Sequence, residues 1–382
     1  MNPRRPFGLY LHIPFCLARC GYCDFNTYQH DPGLARAYVA SLCAEIAAWG
    51  VRPELQGRPA ATAFLGGGTP SLLDPQEVAQ ILEAARAAFG LAPGAEVTLE
   101  ANPGTVDEDK LRGYRAAGVN RLSLGVQAFQ EHLLRLAGRD HSAGEARRAV
   151  AHARAAGFTN LSLDLIFALP GQTAAEWAAS LDEAVALAPE HLSAYGLTYE
   201  EGTPFHRDRR AGRLTPVDEE TEAAMFEQGI DRLTAAGYEH YEISNFARPG
   251  FRSAHNQIYW RCGDYLGLGA GAHSCLGARR FFNRRLPQEY MAAVRRDGSA
   301  EAGAEALTPR QRLGEAMVLG LRLREGVDLE ELAARFAPWG VAPEAGTLAR
   351  LEGNGLVQRR GPRLRLTDRG IRLANEVYVA LV

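Results

Sequence analysis

The sequence predicts an α/β chain: six strand–helix units that build one parallel sheet, followed by a small α+β unit with a winged-helix pattern. Three observations predict it. Between residues 8 and 237 short β-rich runs alternate with alanine-rich helical stretches, as parallel strands joined by crossover helices do. Every run is followed by a glycine-rich or polar segment, the character of loops that gather at the carboxyl ends of such strands. Near the end, "LARLEGNGLVQRRGPRLRLTDRGIRLANEV" reads helix, two short strands turning at Gly361-Pro362, then helix. A chain of 382 residues has room for a barrel of about 250 residues and an appendage.

The strands are expected near 8–12, 61–65, 96–100, 119–124, 160–166 and 191–197. Their helices are expected near 33–49, 75–89, 107–117, 142–156, 174–187 and 218–236, several opened by a cap or proline such as Asp74-Pro75. The segments after the six strands are the cysteine-bearing "HIPFCLARCGYCDF", then "GGGTPS", "EANPG", "GVQAF", "DLIFALPGQT" and "TYEEGTPF". Each alone passes for an ordinary βα turn; six on one face describe a composite site. The organisation expected is a barrel over 1–240, an aromatic and glycine-rich connecting segment packed on it over 241–304, and the winged-helix-like domain over 305–382.

The net charge of −3 argues against general nucleic-acid affinity, which needs a basic surface; Arg359, Arg360, Arg363 and Arg365 on the terminal hairpin are the exception, read here as part of a docking domain. Lys110 is the one lysine among 42 basic residues, in the polar run "DEDK" that reads as a solvated helix start, so lysine Schiff-base chemistry is a poor fit. No apolar run approaches the ~18 residues that span a bilayer, and "MNPRRPFGLYLHIPF" lacks the pattern of a signal peptide. A cytoplasmic protein is expected, in which six cysteines with three clustered favour metal over disulfides.

Cys16, Cys20 and Cys23 follow the spacing C-x3-C-x2-C. A structural zinc site would need a fourth ligand from His12, Asp24, Cys262 or Cys275, and zinc ligands more often come as pairs from two loops. Clustered thiols without metal oxidise readily. The remaining reading is a [4Fe–4S] cluster on three thiolates with one open iron, which the amino and carboxylate groups of S-adenosylmethionine (SAM) would complete.

Together with "YLHIPFC", "LGGGTPS", "EANPGT", "GVQAF", "DLIFALPGQ", "HNQIYW" and the C-terminal module, this loop resembles the radical SAM superfamily, and more narrowly the oxygen-independent coproporphyrinogen III oxidase family over nearly the whole chain. The resemblance implies a partial (β/α)6 barrel, cluster ligation by Cys16, Cys20 and Cys23, and SAM contacts from Gly67, Gly68, Thr69, Glu100, Gln127, Arg139 and Asp164. Tyr10 and Tyr22 match aromatic contacts near the cluster and adenine. The competing local readings are a helix-capping Glu100 and a surface Arg139.

Family members that oxidise coproporphyrinogen carry a further cysteine after the motif and a longer N-terminal segment; here Asp24 and Phe25 follow Cys23, and nine residues precede Tyr10. The chain is more similar to the haem-chaperone branch. That implies haem as a third cofactor, acceptor haem proteins as partners, and a homodimer as the form of self-association. His255 of "HNQIYW", beside Tyr259 and Trp260, is the first candidate for the iron, and His273 of "GAGAHS" the second. The oxidase activity remains the alternative, and a winged-helix regulator with a redox-sensing cluster is a third reading.

Overall fold

The computed structural model describes residues 7–381, so the signal-peptide reading of residues 1–6 falls outside the described residues. Six parallel strands lie side by side in chain order: β1 (Phe7–Ile13), β2 (Ala60–Gly67), β3 (Leu91–Ala101), β4 (Arg121–Gln127), β5 (Leu161–Phe167) and β6 (His191–Gly196). Their cores are the expected runs, which read as almost continuously apolar because both faces of a parallel sheet are covered. The crossover helices are α1 (Pro32–Gly50), α2 (Pro75–Phe89), α3 (Glu108–Ala117), α5 (Ala143–Ala155), α6 (Ala174–Ala186) and α8 (Glu219–Ala235). Capping boxes open α2 at Asp74, α5 at Ser142 and α6 at Thr173, so side chains satisfy orphan amides at these starts.

Two short helices had no counterpart in the sequence reading: α4 (Glu131–Ala137) and α7 (Pro204–Arg210). Both lie in what read as βα loops, and at seven residues each is too short for amphipathic periodicity to declare itself.

The sheet continues past both ends of the parallel core. Beyond β6 come β8 (Asn245–Ala247) and β7 (Glu239–Glu242), antiparallel. On the other side β9 (Tyr265–Leu268) pairs parallel to β1, and β10 (His273–Leu276), β11 (Arg279–Asn283) and β12 (Glu301–Ala306) follow antiparallel. The outcome is one twelve-stranded sheet whose two edges do not pair among the described residues, a barrel left open. The helix α9 (Ala254–Trp260) links the two edge extensions and packs on β1 and β2.

The terminal domain has its own core around Leu313, Met317, Phe336, Leu351, Leu364 and Val377. Helices over Pro309–Arg322, Leu329–Phe336 and Ala345–Gly353 precede a hairpin of Val357–Arg360 with Arg363–Leu366, to which Val327–Asp328 adds a third strand. Ion pairs Arg322–Glu242 and Arg372–Glu227 tie it to the barrel.

One expectation is corrected. Lys110 is not solvated: its ammonium donates to the carbonyls of Ser71 at 2.6 Å and Thr105 at 3.2 Å, and so pins the β2 and β3 loops together.

A buried carboxylate locks α1 to the sheet edge. Glu45 accepts from the Gly269 amide at 2.9 Å, Asn283 Nδ2 at 2.8 Å and Tyr290 Oη at 2.8 Å, and burial raises its pKa from 4.5 to about 7 despite these donors. A folded pKa above the unfolded one means that the native state holds the proton more tightly. This contribution to stability is fully present below pH 4.5 and lost as pH rises through about 7. In chemical unfolding between pH 4.5 and 7.5, Glu45→Gln is therefore expected to remove a pH-dependent loss of up to roughly 3 kcal/mol. A slope unchanged from the wild type would refute it.

Candidate functional site

The cysteine loop leaves β1 at its carboxyl end and folds back on the turn after β2. The amide of Gly68 donates to Ile13 O at 2.8 Å and that of Thr69 to Phe15 O at 2.7 Å. This contact requires glycine: a Cβ on Gly68 would stand 2.6 Å from Phe15 O, and one on Gly67, at φ 114°, would stand 2.3 Å from the His12 ring. The loop's far side rests on the two helices that went unforeseen. Gly21 N donates to Ala137 O at 3.1 Å at the end of α4, and Phe205 N at the start of α7 donates to Gly21 O at 2.9 Å.

A cavity of about 470 Å³ opens above the carboxyl ends of the strands. Its wall contains Cys16, Cys20, Tyr22, Cys23, Gly67, Gly68, Thr69, Glu100, Gln127, Arg139 and Asp164, so the structure brings together eleven of the expected site residues. All three thiols are free and half-buried. Thr69 Oγ1 donates to Cys16 Sγ at 3.5 Å and Arg139 NH1 to Cys20 Sγ at 3.3 Å. Burial pushes the Cys16 thiol up and the Cys23 thiol up to about 11. A positive centre is therefore what this pocket needs to hold thiolates.

Arg139 is not a surface charge: it spans Cys20 and Gly125 O (2.9 Å), with its buried Nε unpartnered. Gln127 ends β4 at φ 67° beside a bulge, an unusual conformation for this residue type that accompanies its place in the cavity wall.

Two half-buried carboxylates form the floor. Glu100 accepts from Gly67 N at 2.9 Å and caps no helix; Asn102 caps the following turn instead. Burial, with the nearby Asp164 charge, raises Glu100 to about 7. Asp164 accepts from Ser193 at 2.7 Å, Ser123 at 3.0 Å and Ser162 at 3.3 Å, a serine cradle that the sequence reading missed because serine in a strand carries no distinctive spacing. The mononuclear alternative loses its donors. His12 uses both ring nitrogens, on Tyr10 and on Asn26 O, and Cys262 and Cys275 do not line this cavity; Asp24 does line it, but among the described residues no three ligand side chains stand close enough to share one ion.

Tyr10 and His255 lie elsewhere. Tyr10 lines two adjoining cavities that share Glu100 with the first. His255 sits under the barrel, where it faces Gly8 and bonds Thr62, at the amino-terminal side of β1 and β2; about 16 Å of strand separates Thr62 from Gly67. Its Nδ1 pairs with Thr62 Oγ1 at 2.7 Å and its Nε2 with Tyr259 Oη at 2.7 Å; the ring stacks on Phe64, is 1% exposed, and burial drives its pKa down to about 3. The haem-ligand role expected for His255 does not fit this placement, because both nitrogens are engaged and the cavity beside it measures only about 200 Å³. His255 fastens α9 to the barrel floor.

Two family models match: the radical SAM superfamily over residues 10–184 and the HemN C-terminal domain over 307–373. The heme chaperone HemW of Mycobacterium tuberculosis is 39% identical over 100% of this chain and 96% of its own. That of Synechocystis is 42% identical over 86% and 80%, and that of Escherichia coli K12 is 44% identical over 70% of each. The crystal structure of coproporphyrinogen III oxidase (HemN) from Escherichia coli superposes with a TM-score of 0.85 at 27% identity, covering 99% of this chain and 90% of that one.

If His255 is a structural clasp, His255→Ala strands two buried hydroxyls and opens a void, and should lower unfolding free energy by roughly 2–4 kcal/mol. The haem absorption of the folded fraction should stay as in the wild type. A shifted haem spectrum with undiminished stability would return the ligand role to His255.

Proposed function

The chain belongs to the family of the heme chaperone HemW within the radical SAM superfamily, and from that premise we propose that it is a haem chaperone: it holds a [4Fe–4S] cluster and SAM in the upper cavity, binds haem, and delivers it to acceptor haem proteins. The observation that carries this reading is a complete three-thiol cavity with an aromatic ring where an oxidase would need a further thiol. Phe25 is 60% exposed on the cavity rim. The cofactor apparatus is intact while the reactive position is apolar, which suits a flat porphyrin ligand better than porphyrinogen chemistry.

A [4Fe–4S] cluster there supplies one iron open to an amino acid chelate. The chain does the rest. Cys16, Cys20 and Cys23 are its ligands, and Thr69 and Arg139 set the charge and direction of two of the sulfurs. Glu100 would accept from the SAM amino group, Asp164 in its serine cradle would take ribose hydroxyls, Arg139 would take the carboxylate, and Tyr22 would border the adenine. Gln127 completes the wall.

We place the protein in the cytoplasm, a reading supported by its six free cysteines; among the described residues no helix is long and apolar enough to cross a membrane. Self-association as a homodimer belongs to the same proposal.

The Glu100 pKa near 7 makes SAM binding pH-dependent in a definite direction. Below pH 7 the free site carries a neutral carboxyl that must give up its proton to accept from the SAM amino group as a carboxylate, beside the proton that the amine itself gives up on reaching the iron. The SAM needed for the change in the electron paramagnetic resonance of the reduced cluster should therefore rise more steeply per pH unit lost in the wild type than in Glu100→Gln, by up to about tenfold. Glu100→Gln should bind SAM weakly at every pH. A wild-type response no steeper than that of Glu100→Gln between pH 6 and 7.5 would rule out this pairing.

The function itself is tested by offering the anaerobically reconstituted protein haem in one vessel and coproporphyrinogen III with SAM and reductant in another. Stoichiometric haem binding and transfer to an apo haem protein, without protoporphyrinogen, is expected. Steady protoporphyrinogen formation would establish the oxidase instead, the activity named for the structure with TM-score 0.85.

A further inference from the structure

With His255 withdrawn from the iron, the haem chaperone reading calls for an iron ligand on an accessible surface, and a neutral imidazole is one such group. A third cavity, about 450 Å³ and next to the first, supplies the setting: it shares Phe25, Gly67 and Glu100 with the first and is completed by Asn26, Tyr265 and His273.

His273 opens β10 and is paired across the sheet with Phe282 of β11. The rings stack at 5.4 Å and 28°, and both side chains are exposed, Phe282 at 40%. Unlike His12, His191 and His255, whose ring nitrogens are all used, His273 has neither nitrogen in a hydrogen bond among the described residues. Burial, Arg280 and Arg285 each lower its pKa, which keeps the imidazole neutral and able to ligate at neutral pH.

The cation beside it has no carboxylate partner among the described residues; its Nε donates to Asn26 Oδ1 at 3.5 Å, which leaves its two terminal nitrogens free of hydrogen bonds there. Arg280 is paired with Glu305 and Glu315, and Arg279 with Glu301, whereas Arg285 is exposed and pairs with no carboxylate among the described residues. Its backbone is anchored to the cavity wall: its carbonyl accepts from Asn26 Nδ2 at 2.9 Å and Tyr28 Oη at 3.1 Å.

From this arrangement we propose that haem binds at the rim formed by β10, β11 and the cysteine loop, where His273 would ligate its iron, Phe25 and Phe282 would lie against the porphyrin, and Arg285 would meet a propionate. The three chemistries that haem presents, an iron, a flat apolar ring and carboxylates, meet here a free imidazole, two exposed aromatic rings and a guanidinium without a carboxylate partner among the described residues. The inference rests on the chaperone reading and goes further by assigning the site. It also gives Phe25 a positive role, since that ring belongs to the walls of both cavities and would stand between the haem and the SAM pocket.

The test is a haemin titration of the full-length, cluster-loaded protein, read by the Soret difference band, haem electron paramagnetic resonance and dissociation constant. His273→Ala and His273→Gln should shift the band and weaken binding by about tenfold or more, with iron–sulfur content unchanged, and added imidazole should restore the wild-type band to His273→Ala. Arg285→Glu should weaken binding and leave the band in place. Both His273 variants retaining the wild-type band and affinity would overturn the assignment while the chaperone reading stands. A wild type that takes up no stoichiometric haem would overturn both.

Discussion

Everything in the upper cavity depends on how closely the cysteine loop lies on the turn after β2. The two amides at Gly68 and Thr69 join the carbonyls of Ile13 and Phe15, so the loop that carries the thiols is attached to the adjacent strand end like a further piece of sheet. The approach is limited by Cβ atoms: at Gly68 a methyl group would collide with backbone, which cannot move aside as a flexible side chain can. From this contact follow the position of Cys16 beside the Thr69 hydroxyl, the Gly67 amide aimed at Glu100, and the use of His12 as a strut between Tyr10 and Asn26.

The electrostatics of the same cavity are set by what it lacks. Glu100 is raised by burial and by the Asp164 charge, Asp164, Cys16 and Cys23 are pushed up by burial, and of the two arginines in the wall Arg19 is exposed while Arg139 is enclosed, with one nitrogen unpartnered. Each group is stabilised by added positive charge. A cluster whose irons hold thiolates, together with a ligand bearing a sulfonium, would relieve these acidic groups at once. A neutral ligand would relieve none.

The fold was legible because its signals are local and repeated: six strand–helix units, with capping boxes at Asp74, Ser142 and Thr173, each declare their own boundaries. The first-cavity residues were legible because they sit at strand ends, where parallel topology leaves little freedom of placement. What escaped has long-range causes. The seating of Gly21 on Ala137 and Phe205 joins segments more than a hundred residues apart, and the Asp164 serines look like any strand residues. His255 misled because "HNQIYW" has the right composition for a porphyrin contact, while its depth is decided by α9 packing under β1 and β2, with Glu96 accepting from the amides of Ala254 and His255.

The distinction between floor and rim also decides what kind of ligand each part of the molecule can hold. The barrel interior is polar and narrow: the cavity beside His255 is lined by Arg121, His191, Asp164 and Ser193, and engaged hydrogen bonds would have to be broken to widen it. A planar ligand with a wide apolar face gains nothing from entering such a space, because every polar group it covered would lose its partner. The rim has the opposite character, with Phe25 60% exposed in the walls of both cavities and Phe282 40% exposed against His273. Apolar area is already paid out to water there, and a haem laid across it would cover surface without breaking an internal bond. An exposed site also suits release to an acceptor, since a ligand held at the rim can be reached by a second protein while the cluster and SAM below remain enclosed.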